Sequence, residues 1–183
     1  MGEMMLSFIT MPLPGIILVI ILAFIDYPLT AIAHSSHQKY MSRFVQYRAS
    51  AAGQNRNFSF WDAVIKLSVA VFLYVIYAIY IGAELNIARV LYLWLLGFAI
   101  GSYFIVNLRH IESILLSRLY SRTDLVEGRI SYQAKFSLKV SAVQFLSLFI
   151  IFALYAILVP SYFTLGLAFA PFFLIIRNLL LSH

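Results

Sequence analysis

Four charged side chains lie inside or at the edges of long apolar runs in this 183-residue chain: Asp26, Lys66, Lys139 and Arg177. An ionised side chain within an apolar helix costs about 2.5–3.5 kcal/mol on insertion scales, so it is expected to face protein or water. One acid and several bases at a similar depth are typical of a pathway for an ion or a proton. The alternative is that Asp26 forms a structural salt bridge while the basic side chains extend to the aqueous edge.

Tyrosines recur at a spacing of three on the second apolar run, at Tyr74, Tyr77 and Tyr80. Helical geometry places them in one drifting stripe. Tyr74 and Tyr77 are candidates for lining a hydrated path, because a phenolic hydroxyl in an apolar region needs a hydrogen-bond partner. Such a stripe is more often explained by helix packing and by an aromatic belt at a membrane interface.

Two segments of small residues predict close helix packing. Gly97 and Gly101 form a GxxxG motif, and Gly166 and Ala170 form a similar pair of small residues. Two helix backbones can approach closely at such positions, either within one chain or between subunits. The pattern is common in membrane spans, so it favours tight packing more strongly than it favours an oligomer.

A metal site is a weaker hypothesis. His34 and His37 share one helical face, and His110 and Glu112 are expected at the same edge of the membrane. A catalytic metal needs three or four converging ligands with supporting groups behind them. Because these side chains lie at the edge of the apolar runs and do not pair across a core, we expect no metal there.

Motifs of the common enzyme classes are missing from the sequence. The chain has no cysteine, which excludes disulfides, thiolate metal sites and a cysteine nucleophile. It contains no Gly-x-Ser-x-Gly elbow, HExxH zinc motif, Walker loop or GxGxxG turn. We therefore expect neither an enzyme nor a bound cofactor.

The composition indicates which elements must position these residues. Hydrophobic residues make up 63% of the chain and charged residues 11%, whereas soluble domains contain about 45–50% apolar residues. The chain is therefore predicted to be an integral membrane protein in direct contact with a lipid bilayer. Its formal net charge of +6 is attributed to loops on one side of the membrane, and nucleic acid is not expected as a partner.

Five apolar runs are each long enough to cross a bilayer as a helix. We predict one all-α integral membrane domain over 1–183, in which a single N-terminal span precedes two helical hairpins. The spans are expected at about 13–33, 62–83, 87–107, 136–159 and 162–181. Pro28 predicts a kink beside Asp26. The third helix is expected to continue to about Tyr120, and 38–52 is expected to form a helix that lies near the surface or continues the first span.

Basic residues are distributed unevenly around these spans. Twelve of the thirteen lie in the segments 34–61 and 108–135 or at span ends on the same side, and only Arg89 lies opposite. The positive-inside rule then predicts that both segments and the C-terminus are cytoplasmic and that the N-terminus is external, in a cell (plasma) membrane. The residues expected to bind anionic lipid headgroups or an acidic partner are Arg43, Arg48, Arg109, Arg118 and Arg122.

The two hairpins also resemble each other in sequence. Lys66 and Ser68 match Lys139 and Ser141 at a separation of 73 residues, which suggests a parallel repeat. Two functional hypotheses remain open. The first is an oligomeric ion channel or transporter-like protein with a polar pathway near the cytoplasmic side. The alternative is a non-catalytic accessory or scaffold subunit that docks into a larger membrane complex through its basic segments.

Overall fold

The computed structural model describes residues 10–42, 45–48, 60–83, 85–120 and 130–182. Five helices in these ranges are long and apolar enough to span a membrane, so the predicted helical architecture is confirmed to that extent. They are α1 (Pro12–Ser36), α2 (Phe60–Ala83), α3 (Asn86–Tyr120), α4 (Ala134–Leu158) and α5 (Tyr162–Leu181). A π-helical turn, His37–Met41, extends α1.

Two of the helix starts follow local sequence rules. Helix α1 begins at Pro12, and proline fits the first helical turn because the N–H it lacks would have no partner there. Helix α5 begins after Ser161, whose hydroxyl accepts a hydrogen bond from the Thr164 N–H at 3.1 Å, while Thr164 Oγ1 accepts one from the Ser161 N–H at 3.0 Å. This reciprocal capping box fixes where the last helix starts.

Helix α3 is the centre of the bundle. It packs against α1 and α2 on one side and against α5 on the other, while α4 packs mainly against α5. Contacts join the early residues of α1, α3 and α5 to one another and the later residues to one another. These three helices are therefore parallel, and α2 and α4 are antiparallel to them. We call the end with the short α2–α3 and α4–α5 connections the turn end, and the opposite end the strand end.

Two short strands pair at the strand end. β1 (Val45–Arg48) and β2 (Ile130–Gln133) run parallel, with Val45 opposite Ile130 and Arg48 opposite Gln133. The predicted helix over 38–52 is therefore wrong at 45–48. Valine and tyrosine there are residues that favour strands, and β2 supplies the backbone partners that a lone extended segment would lack. A strand of four residues is too short to show a clear alternation of apolar and polar residues, and its partner lies far away in the sequence.

Helix α3 approaches α5 more closely than side chains would allow. A Cβ atom built on Gly97 would lie 2.0 Å from the Phe163 carbonyl oxygen, and one on Gly166 would lie 1.9 Å from the Trp94 carbonyl oxygen. A Cβ atom on Gly101 would lie 2.9 Å from the Ala170 Cβ atom. The two small-residue segments therefore face each other within one chain, so this surface of α3 is already occupied by α5.

Apolar side chains fill the middle of the bundle on the α1–α2 side of α3. Val19, Leu73 and Leu96, one from each helix, are exposed by 0%, 1% and 0% respectively. They belong to one packed cluster, between the level of Asp26 and Lys66 and the level of Tyr77 and Tyr92. We call these three residues the apolar layer. It separates polar groups at the strand end from those at the turn end.

Candidate functional site

The most concentrated polar contact within the described helices lies around Asp26. Its Oδ2 atom accepts a hydrogen bond from Lys66 Nζ at 2.7 Å, which joins α1 to α2. Its Oδ1 atom lies 3.1 Å from His110 Nε2, which joins α1 to α3. One carboxylate therefore ties three helices together on the strand-end side of the apolar layer.

Thr30 completes this group of side chains. It lies one helical turn after Asp26 on α1, and its Oγ1 atom lies 3.1 Å from His110 Nε2 and 3.4 Å from Asp26 Oδ1. Since an ionised carboxylate only accepts hydrogen bonds, His110 Nε2 must carry a proton to bond with Asp26. We call Asp26, Thr30, Lys66 and His110 the charged cluster.

Lys66 has further partners on α1. Its Nζ atom donates to the Ala23 carbonyl oxygen at 3.0 Å and lies 3.8 Å from the centre of the Tyr27 ring. A helical carbonyl has two lone pairs, so Ala23 can accept this bond in addition to a backbone bond. A carboxylate, a carbonyl and an aromatic face thus surround the ammonium group, and together they replace much of the water that it gives up.

Because the charged cluster is largely buried, the pairing of its charges matters for the stability of the bundle. The side chains of Lys66, Asp26 and His110 are exposed by 14%, 19% and 25% respectively. A charge removed from water is tolerated when a partner charge and additional hydrogen bonds compensate, and loss of one partner leaves the other uncompensated. The lysine and the acid are therefore each retained in the bundle largely because the other is present.

Asn107 lies one turn before His110 on α3. Its Nδ2 atom donates to the Leu22 carbonyl oxygen at 2.8 Å, which adds a second polar bond between α3 and α1. Its Oδ1 atom is buried and has no hydrogen-bond partner among the described residues. A buried acceptor of this kind is expected to bind a water molecule or another donor.

Two of the four charges predicted to share a pathway are brought together, and two are not. Asp26 and Lys66 are in contact, whereas Lys139 on α4 and Arg177 on α5 are exposed. No hydrogen bond or ion pair between described residues joins either of these bases to the cluster. Sequence gives the depth of a residue along its helix, but the direction in which it faces depends on packing.

The tyrosine stripe divides in the same way. Tyr74 is 61% exposed on the outside of α2. Tyr77 is half-buried, and the centroid of its ring lies 5.5 Å from that of the Tyr92 ring on α3. Both Tyr77 and Tyr92 lie beyond the apolar layer, at the turn end, and so do not reach the charged cluster.

Three of the five predicted basic contact residues lie within the described ranges, at the strand end. Arg109 is exposed and its guanidinium lies 5.9 Å from the centre of the Phe145 ring, and Arg118 is exposed in the last turn of α3. Arg48 belongs to β1, and nothing further is described of its side chain. Arg43 and Arg122 lie outside the described residues.

The weak metal candidates are distributed over different surroundings. His34 is exposed, His37 is half-buried in the π-helical turn, and Glu112 is exposed on α3. His110 bonds with Asp26 and Thr30. Across the described ranges, no three histidine, aspartate or glutamate side chains come close enough together to hold a metal ion.

His110 and Thr30 are the members of the cluster that sequence reasoning did not place there. His110 was expected beyond the third span, at the membrane edge. A signal was available, since Tyr103, Asn107 and His110 recur at helical spacing on α3 and Thr30 follows Asp26 by four residues. Comparison of the chain with protein families, with curated proteins and with solved structures finds no match.

Proposed function

We propose that this chain is a small transporter-like membrane protein in which the charged cluster handles an ion or a proton. The observation that carries the proposal is the Asp26 carboxylate bonded to both Lys66 and His110 between three apolar helices. Ionisable residues inside membrane spans are costly, and they commonly belong to ion or proton pathways. A histidine in contact with a carboxylate can pass a proton to it or take one from it.

Asn107 provides a second support for ion or water binding at this place. Its orphaned Oδ1 atom is buried one turn from His110, on the side of the cluster that faces the apolar layer. A water molecule or a cation bound there would be adjacent to the cluster. An unpaired buried acceptor beside the cluster offers such a ligand a place to bind.

The apolar layer favours a transporter-like protein over an open pore. Val19, Leu73 and Leu96 are buried against one another between the cluster and the turn end. An ion that reaches the cluster from the strand end would meet packed side chains. Passage therefore requires α1 and α2 to move relative to α3, as in proteins that open to one side at a time.

The charge distribution supports one orientation for this mechanism. Twelve of the thirteen basic residues belong to the strand end by their place in the chain. The positive-inside rule assigns that end to the cytoplasm and the start of α1 to the outside of a cell membrane. In this orientation, the cluster is reached from the cytoplasmic side.

Reconstitution into phosphatidylcholine liposomes tests the proposal. Proton flux is followed with an internal pH-sensitive dye after a pH step, with and without a potassium or sodium gradient. We expect flux in the wild type, loss of flux in Asp26→Asn and Lys66→Met, and unchanged flux in the matched control Lys139→Met. Equal flux in the wild type and in all three variants would remove the proposed role of the cluster.

The accessory-subunit hypothesis has its own supporting observation. The pairing of β1 with β2 forms a sheet of only two strands within the described residues, and so small a sheet is marginally stable alone. Its edges are suited to an added strand from a partner. This alternative predicts no flux from the purified chain and co-purification of a larger complex. A monomer recovered alone after gentle extraction would count against it.

A further inference from the structure

Arg89 departs from two physical rules at once. By the predicted order of the spans, it is the only one of the thirteen basic residues at the turn end. It also lies in the first turn of α3, where the helix dipole disfavours a positive charge and where none of the residues of that turn is acidic. A residue that breaks local preferences without an evident structural gain is a candidate for a functional role.

Arg89 lines a cavity of about 560 Å³ at the turn end. Four segments of the chain contribute to its wall: the start of α1, the end of α2, the start of α3, and the α4–α5 connection together with the first turn of α5. The aromatic lining consists of Tyr77, Tyr80, Tyr92 and Phe163. A volume of this size lies within the range of about 300–1,000 Å³ typical of small-molecule sites.

The cavity is built around packed aromatic rings. Tyr77 lies 6.2 Å from Tyr80 and 5.5 Å from Tyr92, between ring centroids. Tyr92 is 3% exposed, and Phe163 is held where α5 makes its close contact with Gly97. The rings are therefore fixed by the fold, whereas the Arg89 side chain is exposed and forms no ion pair with a described acid.

We propose that this cavity binds an amphipathic organic anion, with its carboxylate or phosphate on Arg89 and its apolar body against the tyrosine rings. Guanidinium matches the planar or tetrahedral oxygens of such groups with two parallel hydrogen bonds. Tyrosine rings offer an apolar face together with a hydroxyl that can donate to the same anion. The source of this chemistry is either a free solute or the headgroup of an anionic lipid.

This inference does not depend on the proposed function of the charged cluster, which lies on the other side of the apolar layer. It is tested on the full chain in phosphatidylcholine nanodiscs by thermal unfolding, because a ligand that binds only the folded state raises the midpoint as its concentration rises. The probes are phenyl phosphate, inorganic phosphate and benzyl alcohol. A parallel series of nanodiscs contains phosphatidylglycerol.

Phenyl phosphate is expected to raise the unfolding midpoint more than inorganic phosphate or benzyl alcohol at equal concentration. Arg89→Gln should raise the concentration of phenyl phosphate needed for the same midpoint shift by about tenfold, since it removes a charge-assisted contact. Arg177→Gln, which removes an exposed cation from the other end, should not change it. Tyr80→Leu should weaken the effect of phenyl phosphate and leave that of inorganic phosphate unchanged.

A stabilisation by phosphatidylglycerol that requires Arg89, without an effect of phenyl phosphate, would support the site and assign it to a lipid headgroup. Inorganic phosphate acting as strongly as phenyl phosphate would overturn the role of the aromatic wall. Identical midpoints for the wild type and Arg89→Gln with every probe and lipid would overturn the site. None of these results bears on flux through the charged cluster.

Discussion

Helix α3 meets its neighbours in two different ways. On the α5 side, Gly97 and Gly166 bring two backbones together with no room for a single added carbon atom. On the α1 and α2 side, the apolar layer lies beside hydrogen bonds that Asp26 accepts from Lys66 and His110. We call these the glycine interface and the polar interface.

This difference implies that α3 and α5 are held in one arrangement, whereas α1 and α2 can change their position relative to α3. Close backbone packing has one good geometry, because any shift opens a gap or creates a clash. Hydrogen bonds to side chains can be exchanged for bonds to water when helices part. We therefore infer that α3 and α5 move as a unit and that α1 and α2 move against them.

The largest expected effect comes from adding one carbon atom to the glycine interface. Gly97→Ala or Gly166→Ala would place Cβ at about 2 Å from a carbonyl oxygen, so the helices would have to separate. We expect a loss of about 4 kcal/mol in the free energy of unfolding. The measurement is denaturant unfolding in mild detergent, followed by helical circular dichroism.

Gly82→Ala is the matched control for that change. A Cβ atom at Gly82 would meet nothing within 4 Å, and alanine is the better helix former. Its unfolding free energy should stay level or rise slightly. Equal losses at Gly82 and at Gly97 would mean that the loss at the glycine interface arises from something other than close approach.

The next largest effect is expected at the polar interface. Asp26→Asn leaves the Lys66 ammonium group without its partner charge, at 14% side-chain exposure, and should lower the unfolding free energy by about 2–3 kcal/mol. Adding Lys66→Met should restore most of that loss, because no unpaired charge then remains. A double variant no more stable than Asp26→Asn would show that the two side chains are not coupled.

Lys139→Met sharpens the same comparison. Lys139 occupies the position in the second hairpin that Lys66 occupies in the first, but it is exposed. Its replacement should change the unfolding free energy by about 0.5 kcal/mol or less. A loss as large as that of Lys66→Met would mean that Lys139 has a partner of similar importance.

A smaller effect is expected one turn away from the cluster. Asn107→Ala removes the hydrogen bond to the Leu22 carbonyl oxygen and should lower the unfolding free energy by about 1 kcal/mol. Because it also removes the orphaned Oδ1 acceptor, proton flux in liposomes should fall as well. Loss of stability with full flux would remove Asn107 from the proposed ion site.

Sequence reasoning predicted the elements better than their mutual orientation. Five helices, the Asp26–Lys66 pairing as one alternative, and close packing at the small residues could all be read from spacing and polarity. Lys139 was expected to share a polar pathway with Lys66 because both lie about one turn inside their spans, yet depth does not specify direction around a helix axis. His110 was missed because it was expected at the membrane edge, whereas helix packing brings it against Asp26 and Thr30 on α1.

The β1–β2 pairing was missed for a different reason. Segment 38–52 carries aromatic and basic residues at helical spacing, and its strand forms against a partner 85 positions later in the chain. Local pattern favoured the helix, whereas a distant contact decided the outcome. Sequence also gave no indication of a turn-end cavity, because its lining comes from four separate parts of the chain.

The most direct test of the cluster as an ion-handling site is proton flux through the double variant Asp26→Asn/Lys66→Met in liposomes. This variant removes both charges and is expected to keep most of the wild-type stability, so a change in flux cannot be attributed to unfolding. We predict that it unfolds near the wild-type midpoint and carries no flux above empty liposomes. Flux equal to that of the wild type would contradict the account and leave the cluster with a structural role alone.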